Sequence, residues 1–205
     1  MKPVDTRFLF DFGSPNAYLV HKALPAVEAR TGARFDYVPV LLGGLFKLSG
    51  NRSPIETYAG VANRRAYDLL EIERFVAKHG LDRFRMNPHF PVNTLQIMRG
   101  AIAAERLGCK APYVDAVFAA MWERGLNMAA PEVIGRVLAE AGLDVAAIVA
   151  GSQDADVKAK LMANTQAAFE QGAFGAPTFF VGSEIYFGKD RLADVEAEIS
   201  RQIRG

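Results

Sequence analysis

Arg7-Phe8-Leu9-Phe10-Asp11-Phe12-Gly13-Ser14-Pro15-Asn16-Ala17 carries two opposite signals in eleven residues. Its first half is a short aromatic and aliphatic run that ends at Gly13, the pattern of a buried strand. Its second half opens a helix: Ser14 is a favoured N-cap, Pro15 suits the first helical position, and Tyr18, Leu19, Ala23, Leu24 and Val27 recur at helical spacing. Pro25 is expected to bend this helix, and Gly32 to stop it. Ala33 to Leu42, with Phe35, Tyr37 and Val38 set among polar residues, reads as a second strand. The chain therefore opens with a βαβ unit.

The far end mirrors this. Thr178-Phe179-Phe180-Val181 and Ile185-Tyr186-Phe187 flank Gly182-Ser183-Glu184, a hairpin connection. A last helix is expected from Arg191 to Ile203, with Asp190 as N-cap and Leu192, Val195, Ile199 and Ile203 along one face. Between the two ends there is no convincing strand pattern. Helices are expected at Tyr58 to His79, Asn93 to Leu107, Tyr113 to Glu123, Pro131 to Ala141 and Ala155 to Phe169. The economical assembly is an α/β fold in which βαβ and ββα halves, residues 1–42 and 172–205, share one sheet and are interrupted by an all-helical insertion, residues 43–171.

Composition narrows the function classes. The chain has 205 residues, half of them apolar, with 24 Lys and Arg against 23 Asp and Glu, a net charge of +1. It is long enough to bury a core without staples. A nucleic-acid partner is not expected, because the densest basic stretch, Asn63-Arg64-Arg65, is followed by Glu71 and Glu73 on the same helical segment. Cys109 is the only cysteine, so neither an intrachain disulfide nor a cysteine-based zinc site can form, and no metal is expected. No apolar run approaches the roughly 18 residues that span a bilayer, and Met1 to Asp5 lead into the first strand without the apolar stretch of a signal peptide. The expected location is the cytoplasm, with no membrane partner.

Three segments can carry chemistry. Ser14 stands where a strand becomes a helix, and such a junction points free N–H groups and the positive end of the helix dipole at an anion. A thiolate suits it, since helix N-termini lower thiol pKa values. The same residue is equally served by a capping role alone. Gly175-Ala176-Pro177-Thr178 precedes the third strand, where Pro177 either opens the strand in the ordinary way or forms a cis bond beside a ligand. Phe187-Gly188-Lys189-Asp190-Arg191-Leu192 is a second strand-to-helix junction. Its Asp190 can accept a ligand ammonium while free helix N–H groups accept a carboxylate, or it can simply cap.

Taken together, these segments resemble the 2-hydroxychromene-2-carboxylate isomerases, relatives of the kappa-class glutathione transferases within the DsbA-like thioredoxin superfamily. The likeness extends to Gly43-Gly44-Leu45-Phe46 with Ser49-Gly50-Asn51, to Phe90-Pro91-Val92-Asn93-Thr94-Leu95 with Met98-Arg99-Gly100, and to Gly172-Ala173-Phe174-Gly175. It implies a thioredoxin-like fold and a glutathione site. In that site Ser14 lies beside the sulfur with Asn51 near it, Ala176 pairs with the cysteinyl backbone next to a cis Pro177, and Asp190 and Arg191 meet the γ-glutamyl end. The kappa enzymes carry a lysine beyond that asparagine, and the nearest match here is Arg64, which as a solvated helical arginine has no need of a ligand. His89 and Asn93 fall on the expected substrate side, with capping or core support as their other reading.

The implied reaction opens 2-hydroxychromene-2-carboxylate to trans-o-hydroxybenzylidenepyruvate in aromatic-compound breakdown, with a small aromatic carboxylate as substrate and a homodimer as the assembly. Ser14 would stabilise the thiolate without being covalently modified. A kappa-like transferase acting on electrophiles is the principal alternative, and a non-catalytic glutathione or peptide-binding module is the third. A dithiol oxidoreductase is excluded, because Ser14-Pro15-Asn16-Ala17 holds no cysteine. Trp122, Met121 and Phe118 read as core of the insertion, His21 and His79 as helix-surface histidines, and Cys109 as a bystander thiol.

Overall fold

The computed structural model describes residues 4–204. Strand β1 (Thr6–Phe10), helix α1 (Pro15–Thr31) and strand β2 (Asp36–Pro39) open the fold, and β3 (Thr178–Val181), β4 (Glu184–Phe187) and α10 (Leu192–Arg204) close it. The four strands form one sheet in the order β2-β1-β3-β4. β1 runs parallel to β2 and antiparallel to β3, and β3 is antiparallel to β4. Thus Phe8 stands opposite Tyr37 on one side and Phe179 on the other. Their rings pack against Phe8, with centroids at 4.9 and 5.6 Å.

Between β2 and β3 the chain inserts α2 (Leu42–Ser49), α3 (Pro54–Thr57), α4 (Ala62–His79), α5 (Leu95–Arg106), α6 (Lys110–Trp122), α7 (Pro131–Glu140), α8 (Val145–Gly151) and α9 (Ala155–Glu170). The α/β reading with a helical insertion therefore holds. α2, α3 and α8 were not expected. In α2 the pair Gly43-Gly44 argues against a helix, yet a Cβ on Gly44 would lie 3.0 Å from Thr165 Cγ2, so the glycine permits close approach to α9. α6 begins three residues earlier than expected because Pro112 falls in its first turn, where no N–H bond is lost.

Other expectations differ from the observed elements. Pro25 does not interrupt α1, a single 17-residue helix in which the proline lies on the exposed side. α4 starts at Ala62, four residues after the expected Tyr58. A 3₁₀ turn, Lys189–Arg191, precedes α10, so Asp190 lies inside that turn and does not cap the terminal helix.

Trp122, Met121 and Phe118 are fully buried, as core residues should be. His21 corrects the surface reading: it is buried, its ring stacks on Phe118 at 4.9 Å, Nε2 stands 2.9 Å from Asp115 Oδ1, and Nδ1 stands 3.1 Å from the Tyr37 hydroxyl. The helical pattern could not reveal this, because α1 is covered on one side by the sheet and on another by α6. His79 is half-buried against Phe75. Among the described residues no helix is long and apolar enough to cross a membrane.

A Cβ on Gly100 would overlap the buried Tyr113 ring, whose hydroxyl donates to Ile97 O at 2.8 Å. Gly100→Ala should cost about 2 kcal/mol and lower Tm by roughly 2–4 °C per kcal/mol, as read by calorimetry. The His21 hydrogen bond holds the Asp115 carboxyl below its usual range against the opposing effect of burial. A depressed folded-state pKa gives stability that is present above the unfolded value of about 3.9 and lost as pH falls through the lower one. Asp115→Asn should therefore flatten the acid limb of a plot of Tm against pH.

Candidate functional site

Ser14 caps α1: its backbone is extended, and the Ala17 N–H donates to its Oγ at 3.2 Å. The hydroxyl in turn donates to the carbonyl of Ala176 at 3.0 Å, across 162 residues of sequence. The first two segments singled out in the sequence are thus in direct contact. The Ala176–Pro177 peptide is cis, and so is Phe90–Pro91. The third segment joins them through the Gly188 N–H, which donates to Pro177 O at 2.9 Å.

The loop that carries Ser14 is held from the helical insertion. Trp122 Nε1 donates to Phe12 O at 2.8 Å, and the Phe12 N–H points at Met98 Sδ, 3.4 Å away. Asp11, buried at the end of β1, accepts the Gly13 N–H on Oδ1 at 2.9 Å and the Leu42 N–H on Oδ2 at 2.8 Å. Burial pushes its carboxyl above the usual range, while these two N–H groups and the Thr94 hydroxyl pull the other way.

A cleft of about 280 Å³ opens beside this loop. Asp11, Gly13 and Thr94 lie at its floor, and Phe46, Phe90, Pro91 and Val92 supply apolar walls. Asn51, Arg52 and Glu56 stand at its exposed rim. Asn51 Nδ2 donates to Phe174 O at 3.1 Å, which ties the end of α2 to the approach to the cis proline, and its Oδ1 accepts the Arg52 N–H at 2.8 Å. Phe174 and Phe187, both exposed, pack at 4.5 Å beside Gly175, where a Cβ would strike the Phe187 ring.

The remaining expected residues lie differently. Arg64 is not at the cleft. Its guanidinium bonds Asp68 at 2.9 Å, one turn along α4, and covers the Tyr58 ring at 4.7 Å. His89 and Asn93 are exposed loop residues that flank the cleft segment without lining it. The His89 N–H donates to Asn87 Oδ1 at 2.8 Å, and Asn93 Oδ1 accepts the Leu95 N–H at 3.1 Å in an Asx turn. The expected segment does border the cleft, but through Phe90, Pro91, Val92 and Thr94. Asp190 and Arg191 are exposed; Asp190 pairs with Lys189 at 2.6 Å and Arg191 with Asp194 at 3.0 Å. Asp11, Phe46 and Arg52 were not foreseen. Asp11 had a signal, a lone charge between Phe10 and Phe12 in the run from Phe8 to Phe12. Among the described residues no cluster of three metal-ligating side chains occurs.

Residues 7–200 match the model of a DSBA-like thioredoxin domain. In sequence the chain is 26% identical over 198 residues to a 2-hydroxychromene-2-carboxylate isomerase of Sphingobium xenophagum, covering 93% of this chain and 95% of that protein. It is 27% identical over 199 residues to an enzyme of the same name from Pseudomonas putida, covering 96% and 95%. A solved 2-hydroxychromene-2-carboxylate isomerase superposes with a TM-score of 0.80 at 26% identity, over 97% of this chain and 96% of that one. The oxidoreductase DsbA of Xylella fastidiosa, at 17% identity, shares the fold with a TM-score of 0.62 over 99% of this chain and 88% of its own.

The cap itself is testable without any ligand. Ser14→Ala removes the acceptor of the Ala17 N–H and the donor to Ala176, and should cost about 1 kcal/mol or somewhat more, measured by denaturant titration.

Proposed function

The chain belongs to the DsbA-like thioredoxin family and heads its first helix with a serine in place of a redox cysteine; from that premise we propose that it is a glutathione-dependent isomerase acting on 2-hydroxychromene-2-carboxylate or a closely related aromatic acid. The observation that carries the reading is the 3.0 Å hydrogen bond from Ser14 to Ala176. It sets an anion-favouring helix end beside the cis-proline peptide that leads into β3, which suits a thiol-bearing peptide. The named isomerases, similar over nearly their whole length, give the reaction class.

The residues present fit glutathione in three respects. The positive end of the 17-residue α1 favours a thiolate over a thiol. The Ser14 hydroxyl adds a donor once it turns from the Ala176 carbonyl. The Ala176–Pro177 bend offers backbone groups to the cysteinyl unit, and Asp190 with Arg191, on exchanging their present partners Lys189 and Asp194, would offer opposite charges to the ammonium and carboxylate of the γ-glutamyl end. When bound, glutathione supplies a thiolate that adds reversibly to a conjugated carbonyl system, makes one double bond rotatable and leaves again, with no net redox change. The apolar walls from Phe46 and Phe90 suit a flat aromatic acid. Arg52, which lines the rim, suits that acid's carboxylate.

Calorimetric titration with glutathione, read together with thiolate ultraviolet absorbance, tests the reading. Wild type is expected to bind and to lower the thiol pKa, and Ser14→Ala to return that pKa upward by about one unit, some 1.4 kcal/mol. Absence of binding at millimolar glutathione would sink the proposal. Binding and turnover of simple electrophiles without isomerisation of the chromene would favour the transferase reading instead. Arg52→Gln should raise KM for the carboxylate substrate roughly tenfold with little change in glutathione affinity.

A further inference from the structure

Asp11 is a carboxylate placed where physical chemistry disfavours one. It follows Phe10 and precedes Phe12, both fully buried, and is itself 2% exposed. A buried carboxylate without a counter-ion is costly, and the groups that act on Asp11 are all uncharged: the Leu42 and Gly13 N–H groups and the Thr94 hydroxyl. These donors come from three separate segments. Gly13 immediately precedes Ser14. Leu42 is the first residue of α2, whose own N-cap, Leu41, has no side chain able to cap it. Thr94 stands at the head of α5.

All three segments border the cleft, and α2 leads through Gly50 to Asn51 and Arg52 at its rim. A single buried carboxyl group thus ties the loop of Ser14 to the helix that leads to Asn51. For fold stability alone, a serine or aspartate at position 41 would cap α2 locally and at lower cost.

We propose that Asp11 is the positioning residue of the sulfur site: by binding the Gly13 and Leu42 N–H groups together, its carboxylate sets the separation of Ser14 from Asn51 across which the thiolate is held. This rests on the glutathione reading above. A positioning role and a plain charge effect have opposite signs. Loss of the negative charge by itself would lower the pKa of a nearby thiol. Loss of position lets Ser14 and the head of α1 drift from the sulfur, so the thiol pKa rises.

Asp11→Asn separates the two, because its amide can accept from one N–H but not from both. The variant is expected to melt cooperatively, to bind glutathione at least tenfold more weakly in calorimetry, and to return the bound thiol pKa toward the free value of about 8.5. In the unliganded protein, hydrogen exchange of the Gly13 or Leu42 amide should quicken. A thiol pKa that is unchanged or lower, or an affinity within twofold of wild type, overturns the proposal. If Asp11→Asn does not fold, Gly13→Ala serves instead. Its Cβ would press on Thr94 Cγ2 at 3.2 Å and Asp11 Oδ1 at 3.3 Å, and the same two changes are expected. Unaltered binding in that variant likewise overturns it. If wild type itself fails to bind glutathione, the functional reading falls and takes this one with it, whereas a normal wild type with a normal Asp11→Asn variant defeats the Asp11 role alone.

Discussion

The antiparallel pairing of β1 with β3 is the contact on which the rest of the molecule depends. It brings residues 6–9 against residues 178–181, closing a loop that contains the whole helical insertion. Chain entropy opposes a closure of that length, so the pairing has to be sustained by what it buries. Phe8 and Phe179 stack across it, and Phe10 and Phe12 continue the aromatic column into Phe118 of α6. Because β1 is central in the sheet, with β2 on one side and β3 on the other, its last residues and the turn after it have very little freedom.

That rigidity is what the site uses. The turn from β1 into α1 is held by Trp122 and Met98 of the insertion, by Asp11 from below and by Ala176 from the opposite half of the fold. A helix end can stabilise an anion only if its N–H groups are held in place when the anion arrives, since reorganisation would consume the electrostatic gain. The insertion therefore has a double part. Its core residues fix the loop of Ser14, and its α2 and α5 termini supply the cleft beside it. In a chain with a cysteine at position 14 the same scaffold would favour a reactive thiolate of its own.

α4 is held differently. Phe75 is its one buried side chain among the described residues, and Lys189, itself buried, lies over that ring at 5.3 Å. Arg64 belongs to this helix, and its pairing with Asp68 one turn along is the ordinary surface arrangement for such a residue.

The sequence by itself determined the βαβ and ββα halves, the helical character of the insertion, and the three segments that meet at Ser14, Ala176 and Gly188. Each depends on local rules: aromatic runs ending at glycine, N-capping serine, and proline or glycine punctuation. Tertiary structure alone decided the rest. Gly43-Gly44 lie in a helix that packs so closely on α9 that a Cβ at Gly44 would crowd Thr165, and His21 became buried because α6 covers the helix face that periodicity leaves open. Within the segment 89–94, the loop's own hydrogen bonds engaged the polar residues His89 and Asn93, leaving Phe90, Pro91 and Val92 to line the cleft. Asp11 was visible as an anomaly, but its partners, Leu42 and Thr94, are set by long-range packing, and no spacing along the chain encodes them.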